Sequence, residues 1–418
     1  MYDYNEEVFN IQKDKILNQL IRASESNLFY KKWFKDYNIR IDSINTYEDF
    51  KKIPILDKKT YIKNLCLFEK SLEGIEHNII NTSGSTGNPC RIFISKTDRI
   101  IQNSILCHTR AKKNKIILSG KMLYCHYINL KQQDYILEKK SEKSLHFAYS
   151  CISDVVLEGL KNVIDEYNPE WMVAPTSLLY QYAINEHKNK RFRIQSDISY
   201  IECISESLND IQEKMISETF ECVPINAYGS NEVNTIALSC NEKKLHLQQE
   251  SVFLEIINQN SQGVGDIVVT SLANKYTPFI RYMLGDRGKW RKYDGVCPCG
   301  SSSYTIGLDF YRNNDFVALK CGSKLEVWFF NRILIEIEKE MNIKILQFQF
   351  IQYDFLEFEV KLFIKEKEID KEKISKRIGE DISTAIGELA KVNVVYYNDV
   401  LSIDEGAGKF KYFISMIK

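Results

Sequence analysis

Four hydroxyl side chains and two glycines fill six positions, Thr82, Ser83, Gly84, Ser85, Thr86 and Gly87, just after the apolar pair Ile79 and Ile80. Glycine opens backbone conformations closed to other residues and lets a ligand approach the main chain, while Ser and Thr supply rotatable donors. An oxyanion is the natural guest of such a loop, and phosphate is the first candidate. The nucleotide loop G-x-x-x-x-G-K-[ST] is absent, since Gly84 and Gly87 stand too close together and no lysine follows Gly87. A phosphate role therefore needs a different fold, and the loop alone reads equally as a Ser/Gly-rich surface turn. Nucleotide chemistry also requires a surface for the base, carboxylates for ribose and metal, and a cation for developing charge. In NAYGSNE, Tyr228 stands beside Gly229 and four residues ahead of Glu232, so one turn could present a stacking face and a Mg²⁺ carboxylate. The same residues also read as a strand ending in a polar turn. RYMLGDRGKW sets Asp286 after a glycine at the end of a strand, where it could accept both ribose hydroxyls or simply belong to a G-D hairpin turn. EGAGKFKYF carries Lys409 on a glycine-rich tail, able to bring positive charge to a carboxylate or phosphate.

A second group does not depend on nucleotide. Cys240 and His246 are followed some way along by CPCG, with Cys297 and Cys299. Three thiolates and an imidazole suit tetrahedral Zn²⁺, and four protein ligands would make the site closed and structural. The C-x-C spacing is tighter than the usual C-x₂-C. Cys66, Cys107 and Cys151 show no such grouping and read as apolar fillers.

These residues must be positioned by a chain of 418 residues, 44% hydrophobic, which is ample for buried cores and for two or three domains. Lys plus Arg and Asp plus Glu are equal at 56 each, so the basic footprint of a nucleic-acid or anionic-membrane binder is missing. The start, MYDYNEEVFNIQKDK, is too charged for a signal peptide, and no uncharged apolar run approaches the roughly 18 residues of a membrane span. A cytoplasmic protein with reduced thiols or a metal site is expected.

Residues 5 to 35 read as helix, from Ile16, Leu17, Leu20 and Ile21 to the aromatic cluster Phe29, Tyr30, Trp33 and Phe34. The middle alternates helical patterns such as 155 to 167 with short β-rich runs, WMVA and YIECI, the mark of an α/β sheet. Around 251 to 270, SVFLEII and DIVVT flank a turn and read as paired strands. The last ninety or so residues read as helix, two strands, helix and strand, a small α+β domain. The expected organisation is a large α/β domain over 1–315, carrying a small β-barrel-like part, and a small C-terminal α+β domain over 316–418.

TSGSTG, YGSNE, RYMLGD and the terminal GKF, in that order, resemble the superfamily of adenylate-forming enzymes: acyl-CoA ligases, adenylation domains and luciferases. ASESNLFYKKWF, followed by INTYEDFKKIPILDKKTY, resembles the entry segment of the phenylacetate-CoA ligase family and its coenzyme F390 synthetase-like relatives. The likeness extends from about residue 15 to 415. It implies that Thr82 to Gly87 wrap the phosphates of ATP, that Tyr228 and Gly229 contact adenine, that Glu232 holds Mg²⁺, that Asp286 holds ribose, and that Lys409 contacts the reacting carboxylate and α-phosphate. Arg312 matches the arginine near the family's interdomain hinge, with Asn314 or Asp315 as pivot. Similar cysteines and histidine occur in some of these relatives.

Two departures stand out. Tyr311 precedes Arg312 where the family usually has glycine, and Cys90 follows Pro89 where many superfamily members carry a lysine. His126, Ala174 to Leu179, Ser205 and Glu206 fall where the family lines its acid site, although each also reads as core or capping.

The implied activity is activation of a small, aromatic or similar carboxylic acid as acyl-AMP with loss of pyrophosphate. Transfer to a thiol follows, either CoA or the phosphopantetheine of a carrier protein. Adenylation of an amino acid or aliphatic acid for a biosynthetic pathway, or a non-catalytic nucleotide- or acyl-binding role, are the alternatives. A homodimer is the default assembly.

Overall fold

Helix periodicity in the N-terminal segment breaks at one residue. Asn27 is extended (φ −116°, ψ 118°), ending α1 (Tyr4–Ser26) while its side chain accepts from the amides of Phe29 and Tyr30 to start α2 (Leu28–Asp36). The single helix expected over 5–35 is therefore two. A 3-10 turn (Ile41–Ser43) and α3 (Tyr47–Lys51), α4 (Lys58–Lys63) and α5 (Leu65–Lys70) follow. Next come β1 (His77–Thr82), β2 (Cys90–Ser95), α6 (Lys96–Asn114), β3 (Met122–Tyr127), β4 (Tyr135–Ser141), β5 (Ser144–Tyr149), α7 (Asp154–Tyr167), β6 (Trp171–Pro175) and α8 (Thr176–Asn189). The chain continues through β7 (Tyr200–Ile204), α9 (Asp210–Phe220), β8 (Ile225–Ser230), β9 (Asn234–Ser239), β10 (Leu245–Leu247), β11 (Val252–Ile257), β12 (Gly265–Ser271), β13 (Tyr282–Trp290) and β14 (Thr305–Arg312). It closes with β15 (Phe316–Ala318), β16 (Lys324–Glu326), α10 (Trp328–Met341), β17 (Ile345–Asp354), β18 (Glu357–Ile364), α11 (Lys371–Ile386), β19 (Lys391–Tyr397) and β20 (Phe413–Ser415). This computed structural model describes residues 3–82, 90–114, 120–128, 133–190, 193–206, 208–291, 295–312, 316–320, 324–326, 328–398 and 413–417.

Two compact units make up the chain: Met1–Ser119 with Glu202–Ser205 and Ile225–Asp309, and Gly120–Ile201 with Glu206–Pro224 and Phe310–Lys418. In the first, the strands run in the order β11-β12-β13-β14-β10-β9-β8, with the end of β7 beside β8. β11 is an edge strand, whose free backbone groups would invite pairing with another chain. Asn5 of α1 caps that edge, donating from Nδ2 to the carbonyl of Ile256 at 2.8 Å while its Oδ1 accepts from the Ile256 amide at 2.9 Å. The aromatic core beneath it joins Phe9, Phe50 and Phe253 with ring centroids 5.5 to 6.0 Å apart.

In the second unit, β3 pairs in parallel with β5 and β6, and β4 adds antiparallel to β5. The C-terminal residues build a separate sheet, β19-β18-β17-β20, in which β17 and β18 are antiparallel and β19 and β20 join in parallel. Ile374, Ile378, Ile382 and Ile386 recur every four residues and bury one face of α11. The architecture is α/β with a C-terminal α+β layer, as expected. The expected division at 315/316 adjoins residues 313–315, which lie outside the described set.

Candidate active site and metal cluster

β1 and β2 form an antiparallel hairpin whose last pair is Thr82 with Cys90. The Ser/Thr/Gly segment is thus the connection of a β-hairpin, unlike the strand-to-helix loop of G-x-x-x-x-G-K-[ST] proteins. Thr82 ends β1; Ser83, Gly84, Ser85, Thr86 and Gly87 lie outside the described residues, as do Lys409, Asn314 and Asp315. Arg312 is the last residue of β14, in the second unit.

Tyr228, Gly229, Glu232 and Asp286 belong to the first unit. Tyr228 and Gly229 are on β8, and Glu232 is in the tight turn to β9. The pairing shifts register between Tyr228 and Gly229, and a Cβ on Gly229 would stand 2.3 Å from the carbonyl oxygen of Asn234. Only glycine lets the two backbones approach this closely.

Asp286 is in the middle of β13, not at the end of a strand or in a hairpin turn. The register moves four residues along β13, from Met283 to Arg287, while it moves two along β12, and Gly285 within that bulge has φ 84°. A bulge re-aims the side chains it carries.

Three strands separate β8 from β13 in the sheet, yet the Tyr228 hydroxyl donates to Asp286 Oδ2 at 3.0 Å. The sheet therefore curls back on itself, giving the barrel-like part expected from the sequence. A second bond crosses the same gap in the other direction: the Tyr282 hydroxyl donates to Glu232 Oε1 at 3.0 Å. Each segment contributes a tyrosine and, four residues later, a carboxylate, and each tyrosine holds the other segment's carboxylate. Tyr282 went unnoticed in the sequence, although the repeated Tyr-x-x-x-carboxylate spacing was a visible signal. Glu232 fits the donor chemistry of Mg²⁺, which takes one or two carboxylates together with phosphate oxygens and water.

The four candidate zinc ligands also converge. Cys240 follows β9, His246 is on β10, Cys297 and Cys299 belong to the turn before β14, and their ligand atoms all lie within 4.8 Å of one another. Tetrahedral bonds of about 2.3 Å to sulfur and about 2.0 Å to nitrogen imply S···S near about 3.8 Å and S···N near about 3.6 Å. Cys240 and Cys297 Sγ are 4.0 Å apart, and Cys299 Sγ is 3.4 Å from His246 Nε2. His246 Nδ1 is 3.1 Å from the carbonyl of Ser303, which can only accept, so Nδ1 carries the hydrogen and Nε2 turns its lone pair toward the thiols. Burial pushes the Cys299 thiol up to about 11, with the neighbouring thiols adding to it. The Cys297 thiol goes down instead, because bonds from the Cys299 amide and the adjacent thiols outweigh burial.

Other expectations divide. Cys66 and Cys151 are exposed and Cys107 is half-buried, so they do not fill the core; among the described residues, the buried thiols away from the cluster are Cys125 and Cys203. Glu206 acts as the missing cap of α8, whose N-cap residue Pro175 has no side-chain donor or acceptor: the amide and hydroxyl of Ser177 donate to its carboxylate at 3.2 and 2.9 Å. Ser205 before it has φ 70°. His126 shares a sheet face with Tyr124 and His146, and burial lowers its pKa and that of His146. Among the described residues, no helix is long and apolar enough to cross a membrane.

No family model matches the chain, and no curated protein matches it in sequence. Solved structures do match. Its fold is that of the adenylate-forming acyl-CoA ligases. A 2-hydroxyisobutyryl-CoA ligase in the postadenylation state with R3-HIB-AMP aligns at TM-score 0.74 and 15% identity, over 96% of this chain and 89% of that one. The same ligase in an open conformation with 2-HIB-AMP and CoA gives 0.60 at 16% identity, over 96% and 90%. An anthranilate CoA ligase with anthranoyl-AMP gives 0.52 at 12% identity, over 79% and 65%.

Proposed function

We propose that the protein activates a small carboxylic acid with MgATP and passes the acyl group to a thiol. What carries the reading is the reciprocal pairing of Tyr228 with Asp286 and of Tyr282 with Glu232, in a fold otherwise seen with acyl-AMP and CoA bound. The ring of Tyr228, tethered by its hydroxyl, would offer a face to adenine, and the Asp286 carboxylate would accept from the ribose hydroxyls. Glu232 would hold Mg²⁺, which when bound neutralises charge on the phosphates. Thr82 to Gly87 would wrap those phosphates and Lys409 would stand by the attacking carboxylate. A carboxylate oxygen then attacks the α-phosphorus, pyrophosphate leaves, and a thiolate attacks the acyl carbon of the mixed anhydride to release AMP. CoA is the favoured thiol, by analogy with the ligase solved with it, and an aromatic acid in the manner of phenylacetate-CoA ligases is the finer expectation.

We further propose that Cys240, His246, Cys297 and Cys299 hold a structural Zn²⁺. Their distances support tetrahedral coordination, and a metal with four protein ligands has no open position for substrate.

The primary test is acid-dependent pyrophosphate release with MgATP across aryl, aliphatic and amino acids, with Lys409→Ala as control. Release with one acid, lost in the variant, supports the reading and names the acid. ATP turnover that ignores every acid and survives Lys409→Ala would sink it.

A further inference from the structure

We propose that Tyr282 is the positioning residue that presents Glu232 to the metal of MgATP, and that Asn274 and Asp98 lock the frame on which it acts. The inference rests on the reading of Glu232 as the metal carboxylate.

A carboxylate in a β-turn would ordinarily rotate freely in water. Glu232 is held at two points instead. Its Oε1 accepts the Tyr282 hydroxyl at 3.0 Å, and its main-chain carbonyl accepts Nδ2 of Asn274 at 3.0 Å. Tyr282 is only 2% exposed, and its ring meets Phe279 edge-on at 5.1 Å and Tyr61 at 6.4 Å, so the hydroxyl projects from a fixed base. With Oε1 engaged, Glu232 offers a cation one oxygen, the single-oxygen contact Mg²⁺ commonly takes from a carboxylate.

The second point is itself anchored. Asn274, 1% exposed, accepts from Gln102 Nε2 at 2.6 Å and donates also to the carbonyl of Thr277 at 2.9 Å. Asp98, fully buried, accepts from the amides of Lys275, Tyr276 and Thr277 and from the Thr277 hydroxyl, at 2.7 to 3.2 Å. Asp98 and Gln102 are both on α6, which begins where β2 ends, and the Asp98 amide donates to Ser95 of β2 at 2.9 Å. One helix thus ties the strand leaving the Ser/Thr/Gly hairpin to the turn that carries Glu232. Partners one step removed from a metal typically change its affinity 10–100-fold when lost, which sets the expected scale.

The test follows ATP binding directly, by titration calorimetry with no acid present, as Mg²⁺ is raised from zero in wild type, Tyr282→Phe and Glu232→Gln. Tyr282→Phe keeps the ring and removes the donor. It should raise the half-saturating Mg²⁺ about 10–100-fold and leave metal-free ATP affinity unchanged. A purely structural role would weaken ATP binding with and without metal alike. If Glu232→Gln loses the Mg²⁺ dependence while Tyr282→Phe keeps the wild-type half-saturation, the role of Tyr282 is overturned and the reading of Glu232 stands. A wild-type response in Glu232→Gln, or no ATP binding by wild type, overturns both.

Discussion

Stripping the metal from the cysteine–histidine cluster should unfold the first unit at a distinctly lower temperature. Cys240 and His246 flank a short turn between β9 and β10, whereas Cys297 and Cys299 come from the connection between β13 and β14, far along the chain. An ion bound by all four would cross-link two connections otherwise joined by the pairing of Leu245 with Ile306 and of His246 with Thr305. A ligand that binds only the folded state, present at about a thousand times its Kd, stabilises by about 4 kcal/mol. For a unit of roughly 150–250 residues, each kcal/mol moves Tm by about 2–4 °C, so removal should lower Tm by about 8–16 °C. The assay pairs elemental analysis of protein purified without added metal with thermal melts before and after a strong chelator, then with zinc restored. Cys299→Ser replaces the half-buried ligand at nearly constant volume and should lose the ion; Cys66→Ser, at an exposed site, should not. Protein with fully reduced thiols, zinc far below one ion per chain and a Tm indifferent to chelator and added zinc would refute the argument from ligand geometry.

Tyr228→Ala removes an aromatic face and should raise the KM for ATP by about 5–150-fold, the range for loss of one base-stacking ring, whereas Tyr228→Phe, which keeps the ring and loses the hydroxyl bonded to Asp286, should cost less. Equal effects of the two changes would argue against stacking at this ring. Gly229→Ala forces a Cβ against the Asn234 backbone and should destabilise by about 1–3 kcal/mol in denaturant melts, with loss of pyrophosphate release; a melt identical to wild type would mean that β8 and β9 are looser than described. His126 and His146 have lowered pKa values because burial disfavours their charged forms, so the unfolded chain binds protons first on acidification. Stability should be full above the unfolded value near 6.5 and decline as pH falls through the lowered folded values. That loss should be smaller in His126→Asn/His146→Asn, with Glu138 and Lys140 left as the charged neighbours, and an unchanged pH profile in the double variant would exclude these rings as its source.

How much of this was legible beforehand depends on whether a feature is written in neighbouring residues or made by the fold. Periodicity marked α7, α11 and the pairing of β11 with β12, because those elements are set by local apolar spacing and a turn. The break at Asn27 was harder: the apolar spacing runs on through it, and only the capping bonds reveal a new helix. Asp286 was misread because a Gly-Asp pair followed by a polar residue and a second glycine looks like a hairpin turn, while here the glycine serves a bulge inside a long strand. Cys66 and Cys151 were misplaced because cysteine chemistry predicts burial only on average.

The cross-linking of Tyr228 to Asp286 and of Tyr282 to Glu232 lies beyond any single-segment reading, since it exists only once the five strands from β13 to β8 have curled to bring their ends together. That closure has a consequence for how a nucleotide site of this kind is held. Were each carboxylate oriented by its own turn, a nucleotide would have to order two independent side chains, at an entropic cost to binding. Bonded crosswise, the two carboxylates are oriented by the same closure, within which Tyr282 is held by ring contacts with Tyr61 and Phe279. Phe279→Ala, which removes the buried ring packed against Tyr282, should therefore weaken ribose and metal contacts together, whereas Tyr282→Phe keeps that packing and should weaken the metal contact alone.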